Sequence, residues 1–172
     1  FMETLNSTLT SEQILYEMVN RDSSQIISVT SSKSQEHTIL RDSILPGLLE
    51  NLSKNIHETH PWMFFESGTV FSKGSPIKET VNLACVNASE KTNFSDMKAI
   101  LQSLLRIGFS IKCETRALSN HALFSQGRVA EIIINRKIVG YIGELDSKIL
   151  ENFRIRTKVV GFEIKLSGLI FD

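Results

Sequence analysis

The stretch Ile39-Leu40-Arg41-Asp42-Ser43-Ile44-Leu45-Pro46-Gly47-Leu48-Leu49 opens the clearest helix in the sequence. Leu45, Leu48, Leu49, Leu52 and Ile56 recur at intervals of three and four residues, which sets them on one face of a helix. Ser43 is placed to cap it, and Pro46 falls in the first turn, where a missing N–H costs little. The spacing predicts a helix from Ser43 to Glu58. Its leucine stripe has to be buried, and the segments on either side supply strands to bury it against.

Upstream, Thr10-Ser11-Glu12-Gln13 has the form of a capping box, with Ile14, Leu15 and Met18 behind it, so a short helix is expected. Ile26 to Thr30 is β-branched and reads as a strand, and Ser31 to His37 as a polar loop. Downstream of a break at His57 to Pro61, Trp62 to Phe71 is aromatic and β-branched. It ends in the turn cluster Ser72 to Pro76 and returns as Thr80 to Val86, giving a hairpin. A second helix begins near Ser95, with Met97, Ile100, Leu101, Leu104 and Leu105 on one face and Gly108 as its stop. Further strands are expected at Ile111 to Thr115, Val129 to Ile134, Ile138 to Glu144 and Val159 to Ile164. Asn135-Arg136 makes a tight turn, and Asp146 caps a short helix through Phe153. Hairpins of this kind imply an α+β architecture, a mainly antiparallel sheet flanked by helices, with residues 1–172 as one domain.

The composition excludes several classes. Lys+Arg and Asp+Glu are 19 each, so the chain lacks the basic excess of a domain that grips an RNA backbone unaided, and any RNA contact has to be indirect or local. No apolar run approaches the roughly 20 residues of a membrane span. A cytoplasmic protein with no membrane association is expected, and Phe1 ahead of Met2 suggests a piece of a longer protein. Cys85 and Cys113 lack metal-ligand spacing and read as buried free thiols. Among the histidines only His57 and His60 are close, without the glutamate context of a helical zinc site, so no metal site is expected. Ser72-Lys73-Gly74-Ser75 is not a phosphate loop, and no nucleophile elbow occurs. Glu66 and Glu144 are the carboxylates most readily imagined as an acid–base pair, but structural pairing with basic or backbone groups is the simpler reading. The residues alone therefore describe an α+β domain with no catalytic residues.

Several ordered segments carry a resemblance. Ile39 to Leu49 is similar to the LRxSLLPGLL signature of the phenylalanyl-tRNA synthetase beta subunit. Phe64-Phe65-Glu66-Ser67-Gly68-Thr69-Val70-Phe71 resembles that family's FEIGxVF strand, and Asn93 to Lys98 resembles the opening of its next helix. His121 to Ile132 resembles the HPxFxPGRxAxI segment, Ile138 to Leu145 its IGxxGExHP continuation, and Phe162-Glu163-Ile164 the closing strand. Gln126 stands where the family often has Pro, and Asp146-Ser147 where it usually has His-Pro.

The resemblance implies a core like that of a class II aminoacyl-tRNA synthetase, of the archaeal and eukaryotic-cytosolic branch, without its chemistry. Such a core uses two arginines on ATP, because a planar cation holds phosphate bidentately. Ser72 falls at the first position, no Arg lies between Asn55 and Arg106, and Phe162 to Leu169 has neither the glycines nor the arginine of the second. The implied role is a structural domain that docks on the catalytic alpha subunit in an assembly of two alpha and two beta chains. There it would support aminoacylation of tRNA(Phe), with ATP and Mg handled by alpha and no cofactor in this domain. Arg41, Pro46, Gly47, Leu48, Trp62, Arg128 and Glu144 are the interface or structural candidates. The Leu48/Leu52 side of the helix, Gly47 and the Trp62-Met63 corner are the expected docking surface, the alternative being that they are core. For Arg128, interface contact and internal brace both stay open. The rival function is a stand-alone synthetase-like paralogue holding an amino acid or nucleotide in a degenerate cleft.

Overall fold

The computed structural model of the chain describes residues 1–30, 37–55, 62–167 and 169. Two short strands, β1 (Met2–Glu3) and β2 (Leu9–Thr10), precede a π-helical turn at Gln13–Glu17, in which Ser11 Oγ accepts from Ile14 N–H. Then come β3 (Ile39–Leu40), α1 (Leu45–Lys54), the long hairpin β4 (Trp62–Ser72) and β5 (Lys78–Ala88), and α2 (Phe94–Ser103), which runs into a π-helical turn at Leu104–Gly108. The chain continues as β6 (Glu114–Leu118), β7 (Phe124–Ile134), β8 (Lys137–Leu145), α3 (Ser147–Asn152) and β9 (Val159–Lys165). Among the described residues seven strands form one sheet in the order β1-β4-β5-β9-β8-β7-β6, and all its pairs are antiparallel except β1 with β4.

Alternation along the strands gives the sheet two apolar faces. On β5, Ala84, Val86 and Ala88 face α1, together with Trp62 and Phe64 of β4, Val159 of β9 and Ile149, Leu150 and Phe153 of α3. Leu83 and Cys85 face the opposite way, into a second core with Ile132, Ile142, Phe162 and Ile164 and the α2 residues Met97 and Leu101. Leu45, Leu48, Leu49 and Leu52 of α1 are all buried, so the stripe that defined this helix in the sequence is wholly core.

Several expectations need correction at the element ends. The segment Ile26 to Thr30 forms one isolated bridge, Ser28 to Ile39, because its partner β3 is only two residues long. Ser43 does not cap α1: the N-cap residue is Ile44, which carries no side-chain cap of its own. The first sheet strand after α2 starts at Glu114, not Ile111, because the helix end continues through Ser110 (φ 57°) with bonds from Ser110 N to Arg106 O and from Ile111 N to Leu105 O. Asn93, two residues before Ser95, is the α2 cap, its side chain accepting from Asp96 N–H. Asp146 caps α3 as expected, and Asn135 and Arg136 make their turn with φ of 49° and 63°. The predicted part of the first long helix beyond Asn55, and the His57 and His60 pair, lie outside the described residues, as does most of the Ser31 to His37 loop.

Candidate functional site

Strand register draws one row of titratable groups across the α1 face of the sheet. Glu66 pairs with Ala84, Ala84 with Glu163, Glu163 with Tyr141, Tyr141 with Glu131, and Glu131 with Arg116. The commitments of these groups decide what the face can do.

Glu66, 2% exposed, is held from two sides. Arg41 Nη1 donates to its Oε1 at 2.5 Å, and Asn6 Nδ2 donates to its Oε2 at 2.6 Å. Arg41 Nε donates to the Thr69 carbonyl at 3.0 Å, so the guanidinium is fixed by β4 at two points. A Cβ at Gly68 would collide with the Arg41 guanidinium, which explains a glycine in the middle of this strand. A buried ion pair satisfied in this way is a structural brace whose loss on one side strands a charge.

Glu163 does what Ser43 was expected to do. Its carboxylate accepts from Ile44 N–H at 3.0 Å, from Leu45 N–H at 3.1 Å, from Ser43 Oγ at 2.7 Å and from Asn82 Nδ2 at 2.7 Å. It is thus an N-terminal cap for α1 delivered by the last strand, favoured both by the orphan amides and by the positive end of the helix. Nearby, Arg21 grips Asp42 bidentately at 2.9 and 2.7 Å while Tyr16 OH donates to the same carboxylate at 2.9 Å. Burial, and then the Asp42 charge, push the Tyr16 phenol above its ordinary range. His121 stacks near Tyr141 at 4.4 Å between centroids, and its Nδ1 accepts from Leu123 N–H at 3.2 Å. Burial, and then Arg21, lower its pKa, so the ring is neutral at pH 7. At the far end Arg116 Nε donates to Glu131 at 2.7 Å.

The second polar group lies at the end of the sheet where β8 finishes. Glu144 is held by Arg128 Nη1 at 2.7 Å and by Lys158 Nζ at 2.8 Å. Burial pushes its pKa up, but the hydrogen bonds from Lys158 and Arg128 outweigh this and hold it below the ordinary value. Gly127, with φ of 73°, releases the backbone at the register shift between Phe124 and Val129 that swings Arg128 toward Glu144.

The structure therefore joins Arg41 to Glu66 and Arg128 to Glu144, but leaves Glu66 and Glu144 in separate networks. Pro46 is buried in the first turn of α1, and Gly47 packs on Asn6. Leu48 is 0% and Trp62 7% exposed, so both are core, and the expected docking surface on that side of the helix is corrected. Ser72 is exposed at the end of β4, and the neighbouring Lys73 donates to the Ser24 carbonyl at 2.7 Å. Burial pushes the Cys85 thiol up to about 12, whereas Cys113 is only half-buried. Among the described residues no three His, Cys, Asp or Glu converge where a metal ion could sit, and no helix is long and apolar enough to cross a membrane. Sequence reasoning missed Glu163 and the Arg21–Asp42–Tyr16 group. The bonds from Ser43, Ile44 and Leu45 to Glu163 span 120, 119 and 118 residues, and no local pattern announces contacts of that range.

Comparison with known proteins adds three findings. Residues 1–166 match the family model described as the phenylalanyl tRNA synthetase beta chain CLM domain. The chain is 37% identical to the phenylalanine–tRNA ligase beta subunit of Archaeoglobus fulgidus, covering 100% of this chain and 31% of that one. It is 35% identical to the Methanocaldococcus jannaschii beta subunit, over 96% of this chain and 31% of the relative. It thus spans about a third of the length of the curated relatives it matches. Among solved structures, a pyrrolysyl tRNA synthetase of Desulfitobacterium hafniense shares the fold, with a TM-score of 0.80 at 16% identity, over 98% of this chain and 61% of that one.

Proposed function

The chain belongs to the phenylalanyl-tRNA synthetase beta-chain family, and from that premise we propose that it is a non-catalytic structural domain that docks on the alpha subunit and supports aminoacylation of tRNA(Phe). The observation that supports this reading is the state of the α1 face. Its carboxylates are spent on internal work: Glu66 on Arg41 and Asn6, Glu163 on the amides of α1, Asp42 on Arg21 and Tyr16, Glu131 on Arg116. The buried cation on this face, Arg41, is equally spent. The residues on this face do not fit ATP or its magnesium, because phosphate binding needs a cation free to reach it, Arg41 is committed to Glu66 and Ser72 supplies none. In this reading ATP and Mg belong to the alpha subunit, the complex is cytoplasmic with two chains of each kind, and this chain is one domain of a longer beta subunit.

A domain without chemistry contributes by contact. Leu104, Ile107 and Phe109 leave apolar side chains exposed within six residues after α2, and a cluster of that kind suits a protein partner better than water. The test is pyrophosphate exchange dependent on phenylalanine. The chain alone, given ATP and Mg, is expected to show none, while the beta subunit assembled with alpha shows it. Exchange by the chain alone overturns the reading. Calorimetric binding of phenylalanine or ATP to it would favour the degenerate-cleft alternative.

A further inference from the structure

A basin of about 1480 Å³ opens between the turn after β5 and the turn after α3. Glu144 lies in it, clamped by Arg128 and Lys158. Three more cations, Lys91, Arg154 and Arg156, line the same basin, are exposed, and make no ion pair or side-chain hydrogen bond with the described residues. Glu90 and Glu151 are its other carboxylates. Cations outnumber carboxylates five to three here, in a chain whose net charge is zero.

The backbone at Arg154 points the same way. It sits just past α3 with φ of 58°, and the bonds Arg154 N to Glu151 O and Ile155 N to Leu150 O close the helix end around it. That left-handed position favours Gly or Asn. The chain puts Asn20 (φ 52°) at the equivalent place after its first π-helical turn, closed by Asn20 N to Glu17 O and Arg21 N to Tyr16 O. Arg154 puts a long cation at this position, exposed and with no ion pair or side-chain hydrogen bond to the described residues.

We infer that this basin holds the phosphate backbone of RNA, a contact that rests on the reading of the chain as part of a tRNA ligase. Its volume exceeds that of a drug-sized pocket, and its free cations stand on both rims, which suits a strand laid across it rather than a small molecule enclosed. Trp62 lines the floor but is buried, so no ring is offered for base stacking, and the contact is electrostatic and indifferent to sequence.

The experiment compares the alpha–beta complex carrying wild-type beta chain with one carrying K91Q, R154Q and R156Q together. Binding of a tRNA transcript is measured by fluorescence anisotropy across a range of salt concentrations. The expected result is a loss of about tenfold in affinity near 0.1 M salt, with the log–log salt slope shallower by about 2. Phenylalanine-dependent pyrophosphate exchange should be unchanged. An unchanged slope overturns the proposal. So does loss of alpha from the triple variant, which would make the basin a protein contact, or inhibition of tRNA binding by millimolar inorganic phosphate, which would make it a site for a small anion. A wild-type complex that forms but neither exchanges pyrophosphate nor binds tRNA sinks instead the reading on which the proposal rests. R154G is the complementary variant: it should raise thermal stability and still weaken RNA binding.

Discussion

Single residues carry much of this fold's specificity, and Arg41 is the sharpest case. Its removal leaves the Glu66 carboxyl group in the core with only Asn6 as partner. Arg41→Ala is therefore expected to cost about 3–5 kcal/mol in urea denaturation, whereas replacing Arg41 and Glu66 together with apolar residues of similar volume should come much closer to wild type. Equal losses from the single and double changes would refute the brace. His121 gives a pH signature. Its folded pKa lies below the unfolded value near 6.5, so the unfolded chain takes up the proton first. Stability from this residue is full above that pH and declines as pH falls through the unfolded and then the folded value. Melting temperatures measured from pH 7.5 down to 5 should show this decline in wild type and a flatter profile in His121→Asn. The sequence showed Arg41 and Glu66 as polar residues inside apolar segments, but not as partners, because they meet through folding across 25 residues.

At the scale of elements, the long helices and the hairpins were legible because their periodicity is local. Leu45 to Leu52 repeats at helical spacing, and β4 and β5 alternate about a turn-forming cluster. Element ends were less legible. Three helix ends close with a residue at positive φ, Asn20, Ser110 or Arg154, and only the asparagine is a residue type that advertises the conformation. The start of α1 was misread for a different reason: Ser43 is a good local cap, yet its hydroxyl serves Glu163, which takes the helix amides itself. Glu163→Ala should therefore destabilise the chain by about 1–2 kcal/mol, more than Ser43→Ala, since it unmakes the cap and orphans Asn82 as well. Urea midpoints of the two variants decide it, and the opposite order would restore Ser43 as the cap.

For the whole molecule, the sheet is covered by helices on both sides, so partner contact has to come from what remains outside. Ile107, 77% exposed, and Leu48, fully buried, separate the two possibilities. Ile107→Glu is expected to keep the circular dichroism of the parent while weakening association with the alpha subunit about tenfold or more; Leu48→Glu should unfold the chain. A folded Ile107→Glu variant that associates normally moves the docking face elsewhere. The strand order has a separate consequence. The last strand, β9, lies in the middle of the sheet, between β5 on one side and β8 on the other, and it also brings the carboxylate that caps α1. During synthesis on a ribosome, the β4–β5 hairpin and the β6–β7–β8 meander emerge as two separate half-sheets with open edges and exposed apolar faces. They can join only once residues 159–165 have emerged, and until then the nascent chain carries two half-sheets whose open edges are exposed to mispairing.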